Sequence, residues 1–165
     1  MSVNIQIREI ITPQDLDYLA ANLREADKAE MKAFNGMDPR EGLEYCIEGD
    51  KETWIATVEG VPCCIFGLTE ILVEDDDSKS GVIWAMGTDL LFKYKGHLNR
   101  ISKKIINNWL EKYDVLFNYI WEHNEVHRQW LKRMGFIIMP ETYIQSDMGE
   151  KFDMFIKFAP IDIEE

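Results

Sequence analysis

HNEVHRQWLKRMGF, residues 123–136, is the stretch on which the fold turns. Asparagine is a preferred helix cap, because its side-chain oxygen accepts a bond from an early helix amide. Asn124 therefore reads as a start. His127, Trp130, Leu131 and Met134 follow at helical spacing, and Gly135–Phe136 reads as the stop. The two histidines four apart first suggest a zinc helix. That chemistry needs His-Glu-x-x-His, with the glutamate beside the first histidine. Here Glu125 lies two residues on, and the only other histidine is the distant His97, so no metal is expected.

Outward from this helix the elements alternate. VLFNYIW (115–121) is nearly all apolar or aromatic, as a central strand buried on both faces is. ETYIQS (141–146) and KFDMFIKF (151–158) read as a closing hairpin around Met148–Gly149. Upstream, Leu98, Ile101, Ile105, Ile106, Trp109 and Leu110 mark an amphipathic helix, preceded in GVIWAMGTDLLF (81–92) by a strand that ends near Gly87. TWIATVEGVPCCIFGLTEILV (53–73) places two apolar runs around Glu59–Gly60, a hairpin signal. Its adjacent Cys63 and Cys64 are expected on opposite faces of a strand. IQIREI (5–10) alternates as a strand, Thr12–Pro13 opens a helix, and a second helix starts near Asp38–Pro39. The expected order is β-α-α-β-β-β-α-β-α-β-β. The acidic loop EDDDSKSG (74–81) lacks the distal glutamate of a calcium loop and reads as a solvated turn.

Composition narrows the function classes. With 46% hydrophobic and 29% charged residues in 165, one globular domain over 1–158 is expected, with an acidic tail over 159–165. No apolar run approaches the roughly 18 residues of a membrane span, and MSVNIQIREI lacks the pattern of a secretion signal. The net charge of −12 would repel phosphates over most of the surface, which argues against nucleic-acid binding. Cys46, Cys63 and Cys64 form no disulfide framework and are expected as free thiols.

Against that acidity, no Asp or Glu falls between Asp89 and Glu111, a window holding Lys93, Lys95, His97, Arg100, Lys103 and Lys104. Cations are out of place at a helix start unless they serve an anion, which backbone N–H groups and the open Gly96 would also bind. A solvated face whose lysines pair with acidic loops is the plainer alternative.

The element order, with Asn124 and Gly135–Phe136 at matching spacing, resembles the GCN5-related N-acetyltransferase (GNAT) fold. More narrowly, GTDLLF (87–92) and residues 109–136 are similar to the internal virion protein A family of short-tailed phages, a GNAT-like group. The resemblance covers about residues 80–158. It implies an α/β (α+β) fold, with a mixed, mainly antiparallel, splayed sheet and helices on both faces. It also implies acetyl-CoA as cofactor. Trp84, Ala85, Met86 and Gly87 would hold the thioester, with Gly87 permitting a bulge. Lys93, Lys95, Gly96, His97, Leu98 and Arg100 would surround the pyrophosphate, and Asn124 matches the second motif. Two positions depart from the family. Leu98 replaces a small residue of the phosphate turn, and Leu131 replaces the tyrosine that protonates the departing thiolate.

For a base, Asp89, Glu70 and Glu122 stand near strand ends, and His127 titrates near neutrality. Each has a plainer reading, as a cap, a turn carboxylate or a packed helical histidine. Trp84, Trp109, Trp121 and Trp130 read first as core. Two functions follow. One is an acetyl-CoA-dependent N-acetyltransferase of phage origin, acting on a host protein or small amine. The other is a non-catalytic phage protein of virion assembly, DNA ejection or host takeover. Partners would be an amine acceptor or phage and host proteins, with a homodimer compatible. The expected place of action is the host bacterial cytoplasm or the virion.

Overall fold

Glu59 and Gly60 both adopt positive φ, 50° and 78°, the conformation a two-residue hairpin turn demands. They join β2 (Glu52–Val58) to β3 (Val61–Leu72). The computed structural model describes residues 2–161, so the last four residues of the expected tail, 162–165, lie outside the described part. The chain begins with β1 (Ile5–Arg8), α1 (Pro13–Asn22), α2 (Glu25–Asn35) and α3 (Pro39–Ile47). After the hairpin come β4 (Lys79–Gly87), α4 (Leu90–Lys93), α5 (Lys95–Lys112), β5 (Val115–Trp121), α6 (Glu125–Arg133), β6 (Ile137–Gln145) and β7 (Lys151–Phe158).

Local signals act where the sequence places them. Thr12 caps α1 in a reciprocal capping box with Asp15, and Pro13 opens the helix. Asp38 caps α3 by accepting from Glu41 N. Asn124 Oδ1 accepts from His127 N at 3.2 Å, and Gly135 leaves α6 at φ 89°. The strand in GVIWAMGTDLLF (81–92) ends at Gly87 as expected, with the short α4 after it, whereas α2 is an additional helix.

The seven strands form one sheet in the order β1-β2-β3-β4-β5-β7-β6, antiparallel throughout except for β4 and β5. Helices cover both faces. Leu98, Ile106, Trp109 and Leu110 of α5 pack with Leu131 of α6 on Ala56, Phe66, Ile83 and Leu116. On the opposite face, Leu19, Leu23, Met31 and Leu43 of the first three helices and their links cover Ile55 and Ile65. Trp109 is 5% exposed and belongs to the core, as its periodicity indicates.

Two details correct the sequence reading. The bulge falls not at Gly87, where the register with Cys64 is continuous, but between Ala56 and Thr57 opposite the Cys63 region. It breaks the alternation, so Cys63 and Cys64 pack against the same core cluster instead of opposite ones. Gly87 has a different constraint. A Cβ there would lie 2.1 Å from Leu91 Cδ1 and 2.8 Å from Cys63 O, so only glycine fits against α4.

Candidate functional site

β4 and β5 pair over only three positions, Ser80–Val115, Gly81–Leu116 and Val82–Phe117, and then part. A parted parallel pair exposes backbone groups that a sheet would otherwise satisfy. Which groups face the gap follows from register. Thr88 N donates to Cys63 O at 2.9 Å, so even-numbered residues of this segment turn their peptide groups towards β3. Odd-numbered residues turn theirs towards β5. Ile83 O accepts from Asn118 Nδ2 at 2.8 Å, which braces the gap where it opens. Gly87 N donates to Asp27 Oδ2 at 2.9 Å, and Gly87 O accepts from Arg24 N at 2.9 Å. Ala85 is left between them, its N–H and C=O directed into the opening. Of the strand residues named from sequence, Trp84 and Met86 therefore direct their peptide groups to β3, and the Gly87 amide is already engaged.

Two clefts flank this opening. One, about 960 Å³, lies between the end of β4, the start of α5 and α6. Arg24, Lys95 and Arg133 are its charged lining residues, and no carboxylate lines it. Lys95, Gly96 and His97 stand exposed at the head of α5, where the first amide to bond back is Leu98 N, to Tyr94 O at 3.0 Å. A Cβ on Gly96 would meet nothing within 4 Å. Leu98 is 7% exposed and packs in the core, and it also forms part of the cleft wall. Lys93 lies over the Tyr94 ring at 5.4 Å, and Arg100 is exposed outside the cleft lining. These features fit a phosphorylated ligand such as an acyl-CoA, with amides and cations grouped and no carboxylate in the lining.

The second cleft, about 1630 Å³, lies on the other face of the sheet, between α2, α3 and the parted strands. Its lining holds Glu30 and Glu48 and no lysine or arginine. Ala85, Met86 and His127 line both clefts, so they mark where the two approach each other.

At that junction is a buried polar cluster. Asp27, 1% exposed, is gripped by Arg24 through Nε at 3.1 Å and Nη2 at 3.0 Å. Glu30 accepts from Trp121 N at 2.9 Å and from Asn124 Nδ2 at 3.1 Å. His127 Nδ1 lies 4.0 Å from Glu30 Oε2 and makes no hydrogen bond among the described residues. Burial pushes the Glu30 carboxyl up to about 7, aided by Asp27 and opposed by the Trp121 and Asn124 bonds and by Arg24. Burial likewise pushes His127 down to about 4, against the pull of Asp27 and with the push of Arg24. Asp27, Glu30 and His127 bring ligand atoms within 4.8 Å of one another. The carboxylates already hold protein donors, and a cation would compete with the Arg24 guanidinium, so Asp27 and Glu30 read as hydrogen-bonded side chains with His127 packed beside them.

The residues named from sequence divide accordingly. His127 stands at the junction and Asn124 caps α6 beside it, tied to Glu30. Asp89 is exposed and lines neither cleft. Glu70 pairs across from Gly81, six residues from Gly87 and so roughly 20 Å away along the strand. There it accepts from Tyr113 Oη at 2.7 Å, which lowers its pKa. Glu122 pairs with His123 at 3.2 Å outside both clefts. Leu131 is 1% exposed in the core. Trp84 donates its indole N–H to Asp50 Oδ2 at 2.9 Å and lines the second cleft. Sequence reading missed Arg24, Asp27 and Glu30. The signal available was a charged, alanine-rich stretch, EADKAEMKAFN, whose good helix formers went unused.

Among solved structures, the chain is similar to a GNAT-family acetyltransferase from Streptococcus pneumoniae, with a TM-score of 0.60 at 15% identity over 95% of this chain and all of that one. It is similar also to the aminoglycoside N(6')-acetyltransferase of Legionella pneumophila, with a TM-score of 0.68 at 13% identity, over 96% and 94% of the two chains. A third is Arabidopsis thaliana NAA60 in complex with a bisubstrate analogue, with a TM-score of 0.63 at 15% identity, over 94% and 98%. The fold is therefore GNAT-like, a mixed α/β arrangement around a mostly antiparallel seven-stranded sheet. No family model matches the chain. A curated relative, "Probable scaffold protein gp13" of Escherichia phage T7, is 34% identical over 73 residues, 42% of this chain. The chain spans 52% of that relative's length. The phage resemblance thus returns under the name of a scaffold protein and not of internal virion protein A. No helix among the described residues is long and apolar enough to cross a membrane.

Proposed function

We propose that this chain is a phage-encoded acyl-CoA-dependent N-acetyltransferase that acts on a host protein or small amine. The observation that carries the reading is the pair of clefts of opposite charge flanking the parted β4 and β5, with Ala85, Met86 and His127 common to both. Acetyl-CoA, when bound, would supply an acyl group activated as a thioester. Lys95 and Arg133, with the amides of Lys95, Gly96 and His97, would hold its phosphates. Ala85 N–H, directed into the opening, would donate to the thioester oxygen as negative charge develops on it, where a preorganised donor is effective. Leu131 offers no acid, so the sulfur would take its proton from the reacting amine instead of a tyrosine.

The first test is calorimetric titration of the protein with acetyl-CoA and CoA at low and moderate salt. Saturable, salt-sensitive binding is expected, weakened about tenfold by Lys95→Ala/Arg133→Ala and less by Arg100→Ala. No heat and no thermal shift at millimolar ligand would sink the transferase reading.

A second reading has its own observation, the partial match to the T7 scaffold protein. There the chain would keep the fold without the chemistry, as a non-catalytic phage protein of virion assembly, DNA ejection or host takeover. Fold alone does not choose between the two. Binding indifferent to acyl-CoA, with co-purification of a virion protein, would favour this second role.

A further inference from the structure

We propose that the cleft between α2, α3 and the parted strands admits a primary amine carried on an aromatic or long aliphatic body, and that Glu30 is the group that takes its proton. The proposal deepens the transferase reading and rests on it.

The class of acceptor follows from the walls. Phe34, Tyr45, Trp84, Tyr119 and Phe152 line the cleft, and its carboxylates, Glu30 and Glu48, meet no lysine or arginine in the lining. An anionic acceptor would be repelled without a partner, and a polyamine would leave the aromatic surface unused. A cation with an apolar body satisfies both features, since ring faces and carboxylates attract the same charge.

The proton acceptor follows from position. Glu30 lines this cleft close to His127, which belongs to both clefts, and its side chain is 14% exposed. His127 Nδ1, buried and unbonded among the described residues, lies 4.0 Å from Glu30 Oε2. An amine nitrogen entering from the cleft would meet the Glu30 carboxylate, with His127 behind it. The groups facing Glu30 are Asp27 of its own helix, Arg24 ahead of it, and His127 of α6. Cys46 and Glu48 line the cleft from α3 and its end. With the Glu30 carboxyl raised to about 7, it is a stronger base than an exposed glutamate at the same pH.

The step balances without another reactant. The ammonium group gives one proton to Glu30, and the freed lone pair forms the N–C bond to the acyl carbon. The C–S bond breaks with its electron pair on sulfur, which takes the second nitrogen proton. Glu30 then returns its proton to water. The net change is ammonium plus thioester to amide, thiol and one proton.

The test titrates the full chain, with CoA present, with 2-phenylethylamine, octylamine, spermidine and glutamate. The first two should bind at least about tenfold more tightly than the others, because a large apolar body gains from burial. With acetyl-CoA, Glu30→Gln should lower kcat/KM about 100-fold. It should also remove the acid limb near pH 7 while leaving the Kd for CoA unchanged. CoA binding with no preference for apolar amines would overturn the acceptor class and leave the transferase reading standing. Failure of CoA itself to bind would remove the reading beneath both. An acid limb that persists in Glu30→Gln would overturn the proton role. Should that variant not fold, a wild-type profile flat between about pH 6 and 8 overturns it equally.

Discussion

The two clefts differ in charge although one sheet separates them. Arg24, Lys95 and Arg133 line the α5 side without a carboxylate, and Glu30 and Glu48 line the α2–α3 side without a cation. In a chain of net charge −12, the acidic side follows the composition and the basic side departs from it. Arg24 is paired with Asp27, but Lys95 and Arg133 place like charge together without a carboxylate in the lining, which marks function more clearly than the larger cleft does. The comparison also shows where the two sides are held apart. Arg24 and Asp27 clamp the end of β4 through Gly87.

Breaking that clamp should have the largest effect. Asp27→Ala leaves Arg24, whose side chain is 12% exposed, and the Gly87 amide without their partner. Loss of one member of a buried pair costs about 3–5 kcal/mol, read as a lower urea midpoint at unchanged slope. An unchanged midpoint would mean that the clefts are separated by packing alone.

An intermediate effect concerns pH and sharpens the contrast at the junction. Glu30 has its folded pKa raised from 4.5 to about 7, so its contribution is present below pH 4.5 and lost as pH rises through 7. His127 has its folded pKa lowered from 6.5 to about 4, so its contribution is present above 6.5 and lost as pH falls through 4. The two slopes oppose each other between about pH 4.5 and 6.5. In wild type they should largely cancel there. Glu30→Gln should become more stable as pH rises through this window, and His127→Gln less stable. Parallel slopes in the two variants would show that the residues do not titrate as a buried, opposed pair.

The smallest effect is expected outside both clefts. Asp89→Asn, at an exposed residue, should change stability by less than about 0.5 kcal/mol. It should leave transfer unaltered, in contrast to Glu30→Gln. A large loss of transfer in Asp89→Asn would return the base to the position that sequence reading suggested.

The candidate site was legible in part. His127 and the head of α5 were named from sequence, because a histidine on an apolar helix face and an acid-free basic window are local patterns. Glu30 was not, since α2 shows only Asp27, Met31 and Ala33 buried, too thin an apolar stripe to stand out among its charges. Glu30 meets Trp121 N and Asn124 across 91 and 94 residues of chain, a juxtaposition with no local signature. Asp89 and Glu70 look equivalent to it in sequence, and only the strand register separates them from the opening.

What the sequence by itself determined is what short-range chemistry decides. The caps at Thr12, Asp38 and Asn124, the Glu59–Gly60 turn and the alternation of apolar residues each depend on neighbours a few positions away. What only the tertiary structure decided is the parting of β4 and β5 after three pairs, the Ala85 peptide facing the gap and the carboxylates beneath it. These arise from packing between segments far apart in the chain, where burial sets both the geometry and the protonation of Glu30 and His127.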